Sequence, residues 1–515
     1  MSQHDVPPTA APGTSDETVI SIELNGVNQI AEAERKGRPR DLFWPWFAAN
    51  ISVFAISYGS FILGFGLSFW QATLVVIVGV VASYLLVGYI AIAGKHASAP
   101  TMTISRSVFG VRGNRLPSAL SWLLTLGWET VLAALAVLAT NTIFERLGWH
   151  GGPSTKIVAL VVVVALIVGG GLIGFDLIMR MQRWITWIAG ILTAVYIIVA
   201  IHSIDVSAIG KLHGGGAPAV IGAVLFTMTG FGLGWVNAAA DYSRYLPRSA
   251  SSRGVMWWTT FGSGLGPAVL LIFGLLIAGS SDKLNSAIAA DPVGALATIL
   301  PTWFLVPFIV VTVLGLVAGA VMDIYSSGLS LLNAGLRAPR FVAVSIDGTL
   351  MTIGAIYVVF FSQTFLGPFQ GFLITLGVPI AAWCGVFVAD IALRRKDYSE
   401  RDLFSRHGRY GDVRWLPVAL IVVATVLGWG LVTNTAASWL SWQGYLLGPL
   451  GLGGVKGAWA FANLGVIVAL VLGFVGHLLL ARRTVREQEA LPDDEEVPLS
   501  NREAQEIESE PESVA

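Results

Sequence analysis

Two acidic residues lie in the middle of long apolar runs: Glu129 in LLTLGWETVLAAL and Asp323 in GLVAGAVMDIYSSGLSLLN. An ionised carboxylate with no partner is costly away from water, so a carboxyl placed there favours its neutral acid form, or holds a cation or a polar ligand. Neither has a basic partner at its depth, because all 31 lysines and arginines fall between the apolar runs or in the tails. Both acids are therefore candidates for proton, cation or substrate sites. A second anomaly stands at 229–247, TGFGLGWVNAAADYSRYLP. Gly230, Gly232 and Gly234 alternate there with Phe231, Leu233 and Trp235, and Asn237 and Asp241 follow. Each glycine costs a helix about 1 kcal/mol relative to alanine. A segment of this kind is expected to unwind, which a membrane tolerates only where the backbone is buried in protein or lines a wet cavity.

The other acids read differently. Asp241, Asp347 and Asp390 sit at the ends of apolar runs beside Arg244, Arg340 and Arg394, and local pairing and capping is the expectation for them. The single cysteine, Cys384, excludes an internal disulfide and a cysteine metal site, and reads as a small buried hydrophobe. There is no HExxH, no paired-aspartate phosphate motif and no soluble catalytic domain, so neither an enzyme nor a metal site is expected.

The elements that position these residues follow from composition. Of 515 residues 55% are hydrophobic and 12% charged, against roughly 25% charged in soluble domains. A helix needs about 20 apolar residues to span hydrocarbon. Such runs lie near 43–67, 70–94, 118–144, 157–178, 184–204, 219–240, 256–280, 303–333, 341–362, 366–392, 416–434 and 457–481, which predicts twelve transmembrane helices in an all-α integral membrane protein. An even number puts both tails on one side. Segments on that side carry 26 of the 31 basic residues; the other side has Arg146, Lys156, Lys211, Lys283 and Lys456. By the positive-inside rule both tails are expected to be cytoplasmic, in a multi-pass protein of the plasma membrane. Residues 1–42 and the acidic stretch 482–515 are expected to be disordered tails, and no leader is seen in the first 42 residues. With net charge near zero, no nucleic-acid partner is implied.

Spans 1 and 6 share the defects. Span 1, within NISVFAISYGSFILGFGLSFW, places Ser57, Gly59 and Ser60 near mid-depth and is expected to break there. Five spans separate equivalent positions in the two, so a pair of five-helix repeats would be inverted, 43–204 against 219–392, with 416–481 as two extra helices. Paired broken helices meeting at the midplane are an architecture of secondary transporters. The glycines of span 7, GSGLGP at 262–267, read instead as close helix packing. A channel would present repeated polar faces rather than isolated defects.

Several segments together resemble the nucleobase–cation symporter-1 family, on its purine–cytosine permease branch. They are WPWFAAN at 44–50, SRSVFGVRGNRLP at 105–117, the GW at 127–128, DYSRYLP at 241–247, and IYSSGLSL with RAPRFVAVSIDG within 324–348. The resemblance implies the inverted five-plus-five fold of sodium–amino-acid symporters with two added helices. It also implies alternating-access import of cytosine or purines, with a flat base held between spans 1, 3, 6, 8 and 10. Trp128 matches the stacking tryptophan, and Trp235 or Phe231 the second aromatic. Two departures stand out: Asp323 replaces a usual asparagine, and Leu132 replaces a glutamine or asparagine, with Glu129 nearby. Substrate-binding candidates are thus Trp128, Phe231, Trp235, Asp323, Glu129, Asn237, Ser57 and Gly59, with Asp323 and Glu129 coupling protons. No cofactor is expected. The stretch LVAGAVM lacks the hydroxyls of sodium-dependent members, which favours H⁺ over Na⁺. Carriers for hydantoin, allantoin or vitamin-like heterocycles are the alternative.

Overall fold

Span 6 runs as a helix only as far as Gly230, and span 1 breaks after Asn50; the rest of the bundle is arranged around these two interruptions. The computed structural model describes residues 26–362, 366–435 and 438–492, which are helical throughout apart from turns and loops. Span 1 is two helices, α1 (Phe43–Asn50) and α2 (Phe54–Leu63), bent by 66°. There follow α3 (Phe69–Ala97), α4 (Arg115–Arg146), α5 (Pro153–Ile173) and α6 (Phe175–Ala200). Span 6 is α7 (Ala217–Gly230) and a single turn, α8 (Gly232–Trp235). The chain continues through α9 (Ser252–Gly279), α10 (Asp282–Ala290), α11 (Leu305–Asn333), α12 (Arg340–Phe360), α13 (Leu366–Leu393), α14 (Trp415–Trp429), α15 (Leu464–Leu480) and α16 (Arg482–Ala490).

All twelve expected spans fall on helices. Among the described residues nine helical spans are long and apolar enough to cross a membrane, and two bent pairs, α1–α2 and α15–α16, extend that to eleven. The remaining one, α14, is shorter. Large apolar side chains such as Val161 of α5, Ile191 of α6 and Ile353 of α12 are exposed on the outside of the bundle, as they would be against lipid. The inner helices α4 and α11 are rich in buried polar residues: Ser118, Ser121, Thr125, Glu129 and Asn141 on the first, and Thr312, Asp323, Ser326, Ser327 and Ser330 on the second.

The break in span 6 is stabilised locally. Phe231 leaves the helical region at φ −124°, ψ −105°. The hydroxyls of Thr227 and Thr229 just before it donate to the carbonyls of Ala223 and Leu225, at 2.8 and 3.1 Å. The freed N–H of Gly232 donates to Ser83 Oγ of α3 at 3.1 Å, so the interruption leaves that buried donor satisfied. In span 1 the interruption is at Ile51–Val53 rather than at Ser57–Ser60, which lie in the regular turns of α2. Asn50 is fixed from both sides: its Nδ2 donates to the Trp46 carbonyl at 2.8 Å, and its Oδ1 accepts from the Tyr84 hydroxyl.

Close backbone approach holds the bend. A Cβ on Gly59 would fall inside contact distance of the Gly274 backbone, and one on Gly274 would strike the Ile56 carbonyl. In α9, Gly262 and Gly266 similarly lie against the backbone of α1, which is the packing role expected for GSGLGP.

Parts of both expected tails are ordered. The Ile30 N–H donates to the Ser98 carbonyl at 3.0 Å, Arg244 Nη1 donates to the Gly26 carbonyl at 2.8 Å, and Ile30 is fully buried. At the other end α16 buries Val485 and Gln488, and Gln488 Oε1 accepts from Arg394 Nη2 at 2.8 Å. Residues 26–42 and 482–492 are therefore part of the folded body, because backbone carbonyls and basic side chains of the tail face supply partners for them. Residues 1–25 and 493–515 lie outside the described residues.

Overpacking a core typically costs about 1–3 kcal/mol. Gly274→Ala should therefore lower the thermal midpoint of the purified protein, followed by fluorescence-detected size exclusion. Gly190→Ala, on α6 with no atom within 4 Å of the added carbon, should leave the midpoint unchanged or raise it.

Candidate binding cavity

A cavity of about 50 Å³ lies where the two broken helices face one another, space for a few water molecules at about 15 Å³ each. The α1–α2 break contributes Ala49, Asn50, Ser52, Phe54, Ala55 and Tyr58; α4 gives Trp128 and Leu132; the α7–α8 break gives Gly230, Phe231 and Trp235; α11 gives Asp323. Ring contacts fix the aromatic walls. Phe231 lies on Tyr58 with centroids 4.7 Å apart, Trp235 meets Trp46 edge-on at 5.5 Å, and Trp128 meets Phe369 edge-on at 5.5 Å. Glycine makes this arrangement possible: a Cβ on Gly230 would sit 2.5 Å from the Tyr58 hydroxyl, and one on Gly234 would sit 3.1 Å from Trp128 Nε1. Trp128 Nε1 and the Tyr58 hydroxyl have no hydrogen-bond partner among the described residues.

Asp323 is 2% exposed and has no hydrogen-bond or ion-pair partner among the described residues, so its carboxyl faces the cavity unsatisfied. A buried polar group without a partner carries an energetic cost that a ligand can relieve. Glu129, one residue beyond Trp128, belongs to a different environment. It is fully buried, and among the described residues neither carboxyl oxygen makes a close hydrogen bond, although the Ser327 hydroxyl faces it. Its electrostatic neighbours are Ser327 and Asp323 of α11 and Asp347 of α12. Asp347 in turn accepts from Trp122 Nε1 at 2.6 Å and from Ser327 Oγ at 2.8 Å. Two acids and a hydroxyl thus lie behind the cavity wall, on the same side of α11 as Asp323.

Of the eight residues singled out by sequence, Trp128, Phe231, Trp235 and Asp323 line one cavity, while Glu129 stands behind it. Asn237 does not line it; its Nδ2 donates to Ser121 Oγ at 2.8 Å and ties the turn after α8 to α4. Ser57 donates to the Pro292 carbonyl, and Gly59 is spent on contact with α9, so neither reaches the cavity. The polar lining residues missed were Asn50, Ser52 and Tyr58. Polar Asn50 and Ser52 on either side of Ile51 were the available signal for the true break.

Two of the three expected acid–arginine pairs are absent. Asp241 accepts from the Thr101 N–H and hydroxyl, both at 2.8 Å, while Arg244 Nη2 reaches the Tyr325 hydroxyl at 2.8 Å. Arg340 donates to the carbonyls of Gly171 and Leu172, at 2.8 and 2.9 Å, in the last turn of α5, where the helix dipole favours a cation. Only Asp390 pairs as expected, with Arg394 Nε at 2.6 Å and His477 Nε2 at 3.3 Å.

Comparison with known proteins bears on this arrangement. Residues 29–475 match the model of a family described as permeases for cytosine/purines, uracil, thiamine and allantoin. The purine-cytosine permease FCY2 of Saccharomyces cerevisiae is 23% identical over 501 residues, covering 89% of this chain and 88% of FCY2. The cytosine permease of Escherichia coli O157:H7 is 25% identical over 71% of this chain and 80% of its own length. In fold, the chain is similar to Mhp1, a nucleobase-cation-symport-1 family transporter solved in a closed conformation with bromovinylhydantoin bound. The TM-score is 0.66 at 18% identity, over 93% of this chain and 98% of Mhp1. The inverted-repeat architecture expected from spans 1 and 6 is therefore the fold of this chain. With its residues 29–475 accounted for by one family, the chain belongs to the permeases for cytosine/purines, uracil, thiamine and allantoin, and is a multi-pass membrane transporter rather than an enzyme.

Proposed function

We propose that the protein imports a nucleobase, cytosine or a purine, by proton-coupled symport with alternating access, from a plasma membrane in which both tails are cytoplasmic. The observation that carries this is the unpartnered Asp323 carboxyl opening onto a cavity walled by Trp128, Phe231 and Trp235. Aromatic faces hold a flat base by stacking, at about 1–3 kcal/mol per base and with little regard to its identity. Selectivity then falls to Asp323 at the ring edge. In its acid form it offers one donor and one acceptor, which match N3 and the amino group of cytosine, or N1 and the amino group of adenine. As a carboxylate it would match the two donors of guanine instead.

Coupling follows from the same residue. The acid form is the one that pairs with cytosine or adenine, so proton and base bind together. Glu129, with Ser327 and Asp347 beside it, receives the proton once the base departs. Two features support H⁺ over Na⁺. Residues 316–322 of α11, just ahead of Asp323, have no hydroxyl, and within them the Ala318 carbonyl already accepts from Gln182 Nε2 at 2.9 Å.

In proteoliposomes, labelled cytosine uptake should rise as the outside pH falls and should not respond to sodium; a sodium requirement at constant pH would overturn the coupling. Unlabelled purines should compete, whereas dominant competition by hydantoin, allantoin or thiamine would move the substrate to that class. Trp128→Ala should weaken every base that binds by roughly tenfold, the stacking contribution of one ring; unchanged affinities would exclude stacking. Asp323→Asn should keep equilibrium binding within a few-fold yet abolish accumulation against a gradient. Glu129→Gln should also lose pH-driven accumulation while retaining base exchange, and intact uphill transport in that variant would remove Glu129 from the proton route.

A further inference from the structure

A larger cavity, of about 530 Å³, lies on the outer surface at the tail-side ends of α1, α6 and α9, away from the central site. Arg40, in the turn preceding α1, and Arg183 of α6 both line it. Neither guanidinium has a hydrogen-bond or ion-pair partner among the described residues, although most other arginines of this face are engaged. Asp41 lines the same cavity, but its Oδ2 accepts the Arg38 N–H at 2.8 Å and caps the turn before α1. The rest of the wall is aromatic. Phe43 lies 5.8 Å from Phe261 and 6.4 Å from Trp258, and Trp44 leans on Trp187 at 5.8 Å. These rings are open to the surroundings: Trp258 is 40% exposed, Phe261 50% and Trp187 56%.

The order of these groups along the bundle matters. Arg183 begins the membrane part of α6, and Trp187 stands one turn deeper. Trp258 and Phe261 lie about two turns into α9 from its tail-side end. Cations at the boundary with an apolar, indole-rich surface directly beneath them match an amphiphile whose anionic group stays at the surface and whose chains descend. Guanidinium groups suit phosphate because they present paired N–H donors. A soluble anion would leave the aromatic floor unmatched, and a zwitterionic headgroup would bring an ammonium toward two arginines. We propose that this groove is a binding site for an anionic phospholipid of the leaflet facing the tails, with Arg40 and Arg183 on its phosphate and an acyl chain over Phe43, Trp258 and Phe261. A lipid seated there touches α1, α6 and α9 together. It adds to the direct link in which Thr186 Oγ1 donates to the Trp44 carbonyl at 3.2 Å. The site does not depend on what the central cavity holds.

Native mass spectrometry of the full-length protein, titrated with phosphatidylglycerol or phosphatidylcholine, tests this. The first phosphatidylglycerol molecule should be retained at least about fivefold better than phosphatidylcholine, the preference expected from surface cations acting on an anionic lipid. The Arg40→Gln/Arg183→Gln double variant should lose that preference, while eluting from size exclusion as the unaltered protein does. Equal retention of the two lipids, or a preference untouched in the double variant, would overturn the proposal. If the double variant does not elute normally, Arg183→Gln alone is compared in the same titration, with the same two outcomes. Displacement of the lipid by excess soluble glycerol phosphate would identify a site for a free anion and also overturn it.

Discussion

A helix interrupted inside a membrane must satisfy its released backbone groups from within the protein, and this requirement shapes the centre of the molecule. Ser83 of α3 takes the N–H of Gly232, and Tyr84, the next residue, holds Asn50 at the other interruption. One stretch of one helix thus serves both breaks. That explains why the breaks face each other and why the space between them is lined by Tyr58 and Phe231 in contact rather than by loose chain. The cavity is a by-product of two defects, each of which needs its neighbours to persist.

Around that centre the carboxyl groups fall into distinct environments. On the tail face Asp390 is met by the Arg394 guanidinium and the His477 ring, a closed arrangement. Asp347 is met by neutral donors, Trp122 and Ser327. Asp323 has no hydrogen-bond donor among the described residues, and Glu129 has beside it the Ser327 hydroxyl, which donates to Asp347. The series runs from fully compensated on the tail face to least compensated at the centre, and incomplete compensation is what leaves a group free to exchange a proton or a ligand.

The spans, the inverted repeat and the break in span 6 were legible in the sequence, because each rests on many residues: hydropathy over a whole helix, or three glycines in alternation. The break in span 1 was misplaced because Ser57 and Ser60 are polar yet satisfied, bonding to Pro292 and Asn285. The true break, at Ile51–Val53, is largely apolar, and its cause is packing against distant glycines. Acid–arginine pairs were legible only where the helix is regular. Asp390 in the last turn of α13 and Arg394 just past its end stand four apart and meet. Asp241 and Arg244 stand three apart, but the chain there is a turn, and Thr101, 140 residues earlier, captures the acid. The division of Trp128 and Glu129 between cavity and wall could be drawn only once α11 and α12 were in place beside α4.

The contact between Gly59 and Gly274 has a mechanical corollary. Two helices separated by side chains can slip along each other by changing rotamers, but here no side chain intervenes between α2 and α9 at their crossing. The second half of span 1 and the helix behind it must turn as one lever. Gly262 and Gly266 of that same helix also lie close against α1, so α9 braces both sides of the 66° elbow at Ile51–Val53, directly beside the central cavity.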